Sequence, residues 1–317
     1  MSEHFPKVGV HPTATDLSMP PVELAQEAEA RGLQSITLPE HTHVPVAATD
    51  VAPRYQRTLD PYISCAFIAA STSLDVGTAV SLVAQHDAIA LAKAIATLDH
   101  LSRGRVTLGV GYGYSREEAA DHGVPLSERA LVVEETVRLM RALWCDDEAS
   151  YSGRHREVSL TWAWPKPVQP GGPPVLLGVR ATDRNFERIV SWGDGWIPMA
   201  LGVLDDSFED DLARLRRQWS DAGRTTELEV CCFFSPASAS EMARELERAA
   251  ELGVQRMELY IEDRTRDEVL PLLDELGAAL QRARRHEPAK DDHRPPITVG
   301  PRIANDEEIP DAGDRDR

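Results

Sequence analysis

Short apolar runs alternate with longer stretches of helical periodicity along most of the chain. Residues 7–11, 34–38, 74–80 and 106–110 are apolar and largely β-branched, the signature of buried strands. Four more runs of this kind follow at 175–177, 195–198, 228–234 and 256–261. Helical patterns lie between them, at 21–31, 62–72, 88–101, 125–143, 183–192, 206–222, 240–253 and 266 to about 285. Gly32 and Gly104 stand just beyond two of these helices, where a left-handed stop is favoured. In helix 88–101, Ile89, Ala92, Ile95 and Leu98 are read as the apolar face. In 125–143, Leu131, Val133, Val137, Met140 and Leu143 supply the apolar positions.

Eight strands, each followed by a helix, is the count of a (β/α)8 TIM barrel, and units of roughly 20 to 35 residues suit it. A doubly wound sheet alternates in the same way, so the count favours the barrel over that alternative. Segment 144–174 holds Trp162, Trp164 and five prolines and reads as an irregular insertion. After 287 the composition turns to proline and acid, ending in DAGDRDR, with no apolar face. The expected organisation is one barrel domain, 1–287, and a disordered acidic tail, 288–317.

The formal charge of −18 argues against a nucleic-acid or anionic-membrane surface, which needs clustered cations. No basic and apolar leader opens the chain, and no run of 18 apolar residues occurs. Cys65, Cys145, Cys231 and Cys232 form no C-x-x-C and are expected as reduced, buried thiols. Together these imply a soluble cytoplasmic protein.

In a barrel, chemistry gathers just past the C-terminal strand ends. Those ends carry His11 and Thr13; Glu40, His41, Thr42 and His43; Ala79, Val80 and Ser81; Gly111, Tyr112 and Gly113; Gly178, Val179 and Arg180; and Met199. Glu40 and His41 are the strongest pair for proton transfer, since imidazole titrates near neutrality and a carboxylate can orient it. His41-Thr42-His43 has the spacing of a metal pair, but later strand ends add no lysine or histidine, so no metal is expected. The stretch VTLGVGYGYSREE reads as a strand entering a glycine loop, then a helix with Ser115 as N-cap and Glu117 and Glu118 in its first turn. Its G-x-G-x-G spacing departs from the dinucleotide fingerprint, and the same residues also suit a turn that binds nothing.

LPEHTHVP, LDVGTAV, LAKAIATLDHLSRGRVTLGVGYG, ERALVVEETVRLMRALW, PKPVQPGGPPVLLG and GDGW, in this order, resemble the bacterial luciferase-like monooxygenase superfamily. More narrowly they are similar to its branch that uses the deazaflavin coenzyme F420, over about residues 5 to 235. The resemblance implies a (β/α)8 barrel. It implies that Glu40 sits by the deazaflavin ring, that His41 gives or takes a proton, and that Ala79-Val80 is a non-proline cis peptide behind the ring. Gly111, Tyr112 and Gly113 would contact the ribityl and phosphate portion, and the amides of Gly178 and Val179 the phosphate. Two departures stand out. Val179 replaces a second glycine, and Gln85-His86-Asp87 replaces an arginine-containing turn, removing a cation that Arg116 or Arg129 would have to supply.

The expected function is hydride transfer between coenzyme F420 and a small organic substrate. The alternative is an FMN-dependent monooxygenase using O2 with a separate flavin reductase, and a third reading is a non-catalytic cofactor-binding barrel. A homodimer is implied by the resemblance. The substrate pocket would draw on Tyr55, Trp162, Trp164 and Trp196.

Overall fold

The computed structural model describes residues 5–199, 204–236 and 238–285. Eight parallel strands close a barrel: β1 (Lys7–Pro12), β2 (Ser35–Leu38), β3 (Asp75–Ser81), β4 (Val106–Gly111), β7 (Val175–Val179), β8 (Gly195–Pro198), β9 (Glu229–Phe234) and β10 (Arg256–Ile261). Around the closed sheet, β1 joins β10 in register from Lys7 opposite Arg256 to Pro12 opposite Ile261, and β1 joins β2 on its other side. The alternation along each strand divides two environments. Val8, Val10, Ile36 and Leu38 face the helices, whereas Leu176, Ile197 and Cys231 face the barrel interior.

The outer layer contains α1 (Pro21–Ala30), α2 (Pro61–Ser71), α3 (Ala88–Ser102), α4 (Arg116–Asp121), α5 (Arg129–Cys145), α6 (Asp183–Trp192), α7 (Asp206–Asp221), α8 (Ala239–Leu252) and α9 (Arg266–Arg285). Their starts follow local chemistry. Asp60, Asp87, Ser115, Thr182, Asp205 and Ser238 each accept the amide three residues on. Each such cap satisfies an otherwise orphaned N–H and is worth about 1 kcal/mol. Helix α5 begins at Arg129 rather than at 125, because Pro125 to Glu128 closes a turn first.

Three expectations are corrected. The apolar face of α3 does not include Ile89, which is 47% exposed; Ala88, Leu91, Ala92, Ile95 and Ala96 are buried. An i, i+3 row slips because each residue turns the helix by roughly 100°, so nine residues bring Ile89 to the side opposite Leu98. Segment 144–174 is not irregular throughout: β5 (Ala149–Ser152) and β6 (Glu157–Thr161) form an antiparallel hairpin. Buried Glu135 of α5 orders its turn, accepting the amides of Arg154, His155 and Arg156 at 2.8, 2.6 and 3.0 Å. Asp99 of α3 does the same further on, accepting the amides of Val168 and Gln169 at 2.7 and 3.0 Å. Finally, Cys145 is exposed, because α5 ends there at the surface, while Cys65, Cys231 and Cys232 are buried.

The expected tail, 288–317, lies outside the described residues. Among the described residues, no helix is long and apolar enough to cross a membrane.

Candidate active site at the C-terminal mouth of the barrel

Glu40 follows β2 and is buried, yet its carboxylate has three donors. Ser81 Oγ and the Leu82 amide reach Oε2 at 2.7 and 2.6 Å, and His86 Nε2 reaches Oε1 at 2.7 Å. Tyr62 donates to Ser81 in turn at 2.7 Å. Burial alone would raise the Glu40 pKa; the His86 contact, then Ser81 and the Leu82 amide, outweigh it and hold the acid below its ordinary value. For His86, burial lowers the pKa, but bonding and attraction to Glu40 prevail and the net shift is upward. The Gln85-His86-Asp87 turn, read as the loss of a cation, therefore supplies an imidazole partner to Glu40 whose charged form the pairing favours.

His41 points elsewhere. Its Nδ1 lies 2.8 Å from Oε2 of Glu118 in α4, and the Thr42 amide donates to Oε1 of the same carboxylate at 3.2 Å. The His41 side chain is 8% exposed and that of Glu118 only 1%. Tyr55 and Tyr114 flank the imidazole, with ring centroids at 4.9 and 5.6 Å. With Glu118 as acceptor, Nδ1 carries the proton and Nε2 becomes the ring nitrogen available for exchange. Glu40 and His41, adjacent in sequence, thus have separate partners, and the carboxylate that orients His41 is Glu118. In the sequence Glu118 marks only the helix start, where it does lie behind its cap Ser115.

A shelf is built at the end of β3. A cis peptide joins Ala79 to Val80. The Val80 side chain fills the space over two glycines that are register partners on adjacent strands, Gly111 and Gly178. A Cβ on Gly111 would meet Val80 Cγ2 at 2.4 Å, and one on Gly178 would meet Val80 Cγ1 at 2.4 Å. The glycines of both strand ends are thereby explained by the approach of Val80. Gly113 takes φ 71°, and the Gln85 amide lies near it, with a buried Oε1 that has no hydrogen-bond partner. Tyr112 is half-buried; its hydroxyl donates to Asn185 at 3.4 Å and Arg188 covers its ring. Val179 is buried, and its carbonyl accepts the Trp196 indole at 2.9 Å.

On β1, next to β2, lies His11, with Nδ1 3.0 Å from Thr37 Oγ1 and its ring against Phe233 and Tyr260 at 4.5 and 5.9 Å. Burial lowers the His11 pKa to about 4, so this imidazole is neutral at physiological pH. Of the aromatic residues expected around a substrate, Tyr55 is beside His41. Trp196 instead packs in the core between Phe186 and Phe208, because it alternates outward on β8. Trp162 and Trp164 are 74% and 55% exposed on the insertion, where Lys166 lies over the Trp164 ring. His43 contacts Asp121, not the Glu118 that holds His41, and the described residues contain no metal-binding group of three or more such side chains.

A sequence profile of the luciferase-like monooxygenase family matches residues 11–301. The chain belongs to that family. The match of this luciferase-like chain runs beyond 287, into the stretch expected as tail. An uncharacterized protein of Mycobacterium tuberculosis is 39% identical over 277 residues, covering 84% of this chain and 95% of its own length. The F420-dependent glucose-6-phosphate dehydrogenase of Kineococcus radiotolerans is 28% identical over 234 residues, 70% of this chain and 66% of that one. Among solved structures, the monooxygenase RslO1 from Streptomyces bottropensis superposes with a TM-score of 0.72 at 17% identity, covering 87% of this chain and 98% of that one. At that identity the likeness is one of fold.

Proposed function

We propose that this luciferase-like protein transfers a hydride between the deazaflavin coenzyme F420 and a small organic substrate, with His41 donating or accepting the accompanying proton. The observation that carries the reading is the His41–Glu118 dyad: a nearly buried imidazole fixed through Nδ1 at the mouth of a barrel, one residue after the Glu40 that holds the segment following Val80. The relationship to a dehydrogenase named for F420 supports the choice of cofactor.

The residues fit such a group. The shelf over Gly111 and Gly178 presents an apolar wall, and the unpartnered Gln85 Oε1 near Gly113 offers a buried polar atom to a ligand. When bound, the deazaflavin supplies or takes the hydride at its C5. Gly111, Tyr112 and Gly113 would line its ribityl side, with the turn of Gly178 and Val179 at its phosphate. Glu40 acts through the segment it holds. By accepting from Ser81 and the Leu82 amide it fixes the stretch that follows Ala79 and Val80. Glu118 acts through His41, holding one tautomer so that Nε2 meets the substrate. Tyr55 and Tyr114 limit water around the imidazole.

Two measurements test this. Fluorescence titration should give saturable binding of coenzyme F420 and none of FMN; binding of FMN alone would transfer the protein to the oxygen-using side of the family. The His41→Ala variant should bind F420 as the parent does and lose turnover by about 10²- to 10⁴-fold, the usual share of general acid–base catalysis. Unchanged turnover removes His41 from the mechanism.

A further inference from the structure

The wall of the mouth next to His41 contains buried polar atoms that the proton chemistry does not use. Thr13 Oγ1, at the exit of β1, has no hydrogen-bond partner although the residue is 1% exposed. Neither does the Tyr260 hydroxyl on β10, nor Nε of Arg54 in the loop between β2 and α2. A buried polar group left unpaired costs about 1–3 kcal/mol, so three in one neighbourhood call for an explanation.

They are neighbours in space. The Tyr260 hydroxyl is directed toward Tyr55 and Thr13 without closing a hydrogen bond of normal geometry to either, and Arg54 lies beside it. The Arg54 guanidinium lies 5.2 Å from the centre of the Tyr55 ring, and that ring stands 4.9 Å from His41. Glu262 is the acid paired with Arg54, at 3.6 Å from Nη1, so the Nε edge is left over. Burial pushes the Tyr260 phenol well above its ordinary range and keeps it a donor. Two hydroxyls and a guanidinium N–H are all able to donate, and one of the three is cationic. What such a set can satisfy is a group rich in acceptor oxygens and carrying negative charge.

We infer that Thr13, Arg54 and Tyr260 form a subsite for an oxyanion of the substrate, which makes the substrate a small compound carrying a carboxylate or phosphate close to its reacting carbon. This rests on the reading of the mouth as the substrate side of a hydride-transfer site, and it extends that reading to the substrate's charge. Tyr55, between Arg54 and His41, then sets the separation between the anionic group and the carbon that exchanges hydride.

The test uses the full-length protein, with and without bound F420, in calorimetric titrations with pyruvate and with inorganic phosphate, methyl pyruvate serving as the uncharged control. Saturable binding of either oxyanion, at least tenfold tighter than methyl pyruvate and at least tenfold weaker in Arg54→Gln, is the expected result. The better of the two identifies the anionic group as carboxylate or phosphate. Thr13→Val and Tyr260→Phe, which remove one hydroxyl each and little volume, should each weaken that binding severalfold. Binding of neither anion, equal binding of methyl pyruvate, or anion binding unchanged in Arg54→Gln and both other variants overturns the assignment. F420 affinity is read in the same titrations. Failure of F420 to bind while pyruvate or phosphate binds through Arg54 would remove the hydride-transfer reading and leave the anion site standing.

Discussion

Replacing Glu258 by glutamine should flatten the dependence of stability on pH. Glu258 points into the barrel from β10, fully buried, with Ser35 Oγ donating to Oε1 at 2.6 Å and no partner for Oε2. Gly9 opposite it has no room for a side chain, since a Cβ there would lie 2.2 Å from Ser35 Oγ and 2.5 Å from Glu258 Oε2. Burial, only partly offset by Ser35 and Arg256, raises the Glu258 pKa from the ordinary 4.5 to about 8. The folded chain therefore holds one more proton than the unfolded chain between those two values. A raised carboxyl pKa contributes stability that is complete below pH 4.5 and is lost as pH rises toward 8. The slope is about 1.4 kcal/mol per pH unit, accumulating to roughly 5 kcal/mol across the interval. Glutamine keeps an acceptor for Ser35 and cannot ionise. Urea unfolding at pH 5.5, 7 and 8.5 should find Glu258→Gln close to the parent at the lowest pH and more stable by a few kcal/mol at the highest. Parallel stability curves for the two proteins would refute a protonated Glu258.

Two further perturbations probe the shelf and its support. Gly111→Ala drives a Cβ to 2.4 Å from Val80 Cγ2 and should cost about 1–3 kcal/mol. The double variant with Val80→Ala should recover about 1 kcal/mol or more of that loss in a denaturation cycle, and strict additivity would deny the contact. His86→Gln removes the charged partner of Glu40 and should destabilise by about 1–3 kcal/mol, less than a fully buried pair because the His86 side chain is 22% exposed. The Glu40 pKa is lowered and that of His86 raised, so the pair's contribution is fullest between pH 4.5 and 6.5. It fades as pH rises through the elevated His86 value, or falls through the depressed Glu40 value. Melting temperatures of parent and variant should converge toward pH 9; a constant difference would contradict the pairing.

Hydrophobic period carried most of the barrel, and Gly195–Pro198 and Arg256–Ile261 were legible to the residue. Each is a short run of strand-forming residues soon after a helix-ending glycine, Gly193 or Gly253, so the strand is specified locally. The 149–161 hairpin was not legible, because its turn is ordered by Glu135, which lies in the preceding helix and reads there as one more surface acid. The dyad was half legible. His41 stands at a strand end and draws notice, whereas Glu118 is 77 residues away and its helical position explains it equally well.

The buried acids share a logic that composition conceals. In a chain of net charge −18, five carboxylates are buried among the described residues, and nothing local in the sequence distinguishes them. Glu40, Asp99, Glu118 and Glu135 are buried, and each accepts at least one backbone amide from a distant segment: Leu82, Val168 and Gln169, Thr42, and residues 154–156. An amide can only donate, so such a contact favours the ionised carboxylate, and Glu40 and Glu135, both with lowered pKa, tie loops to the barrel as anions. Glu258 has no such amide bond, only a serine hydroxyl, which can face either protonation state. The pKa rises strongly there, while Glu40 and Glu135, among the amide-bonded acids, are held low. Burial is common to all three; what separates the connectors from the proton store is the set of donors, the His86 imidazole with Ser81 and the Leu82 amide at Glu40, three backbone amides at Glu135, and a lone serine hydroxyl at Glu258.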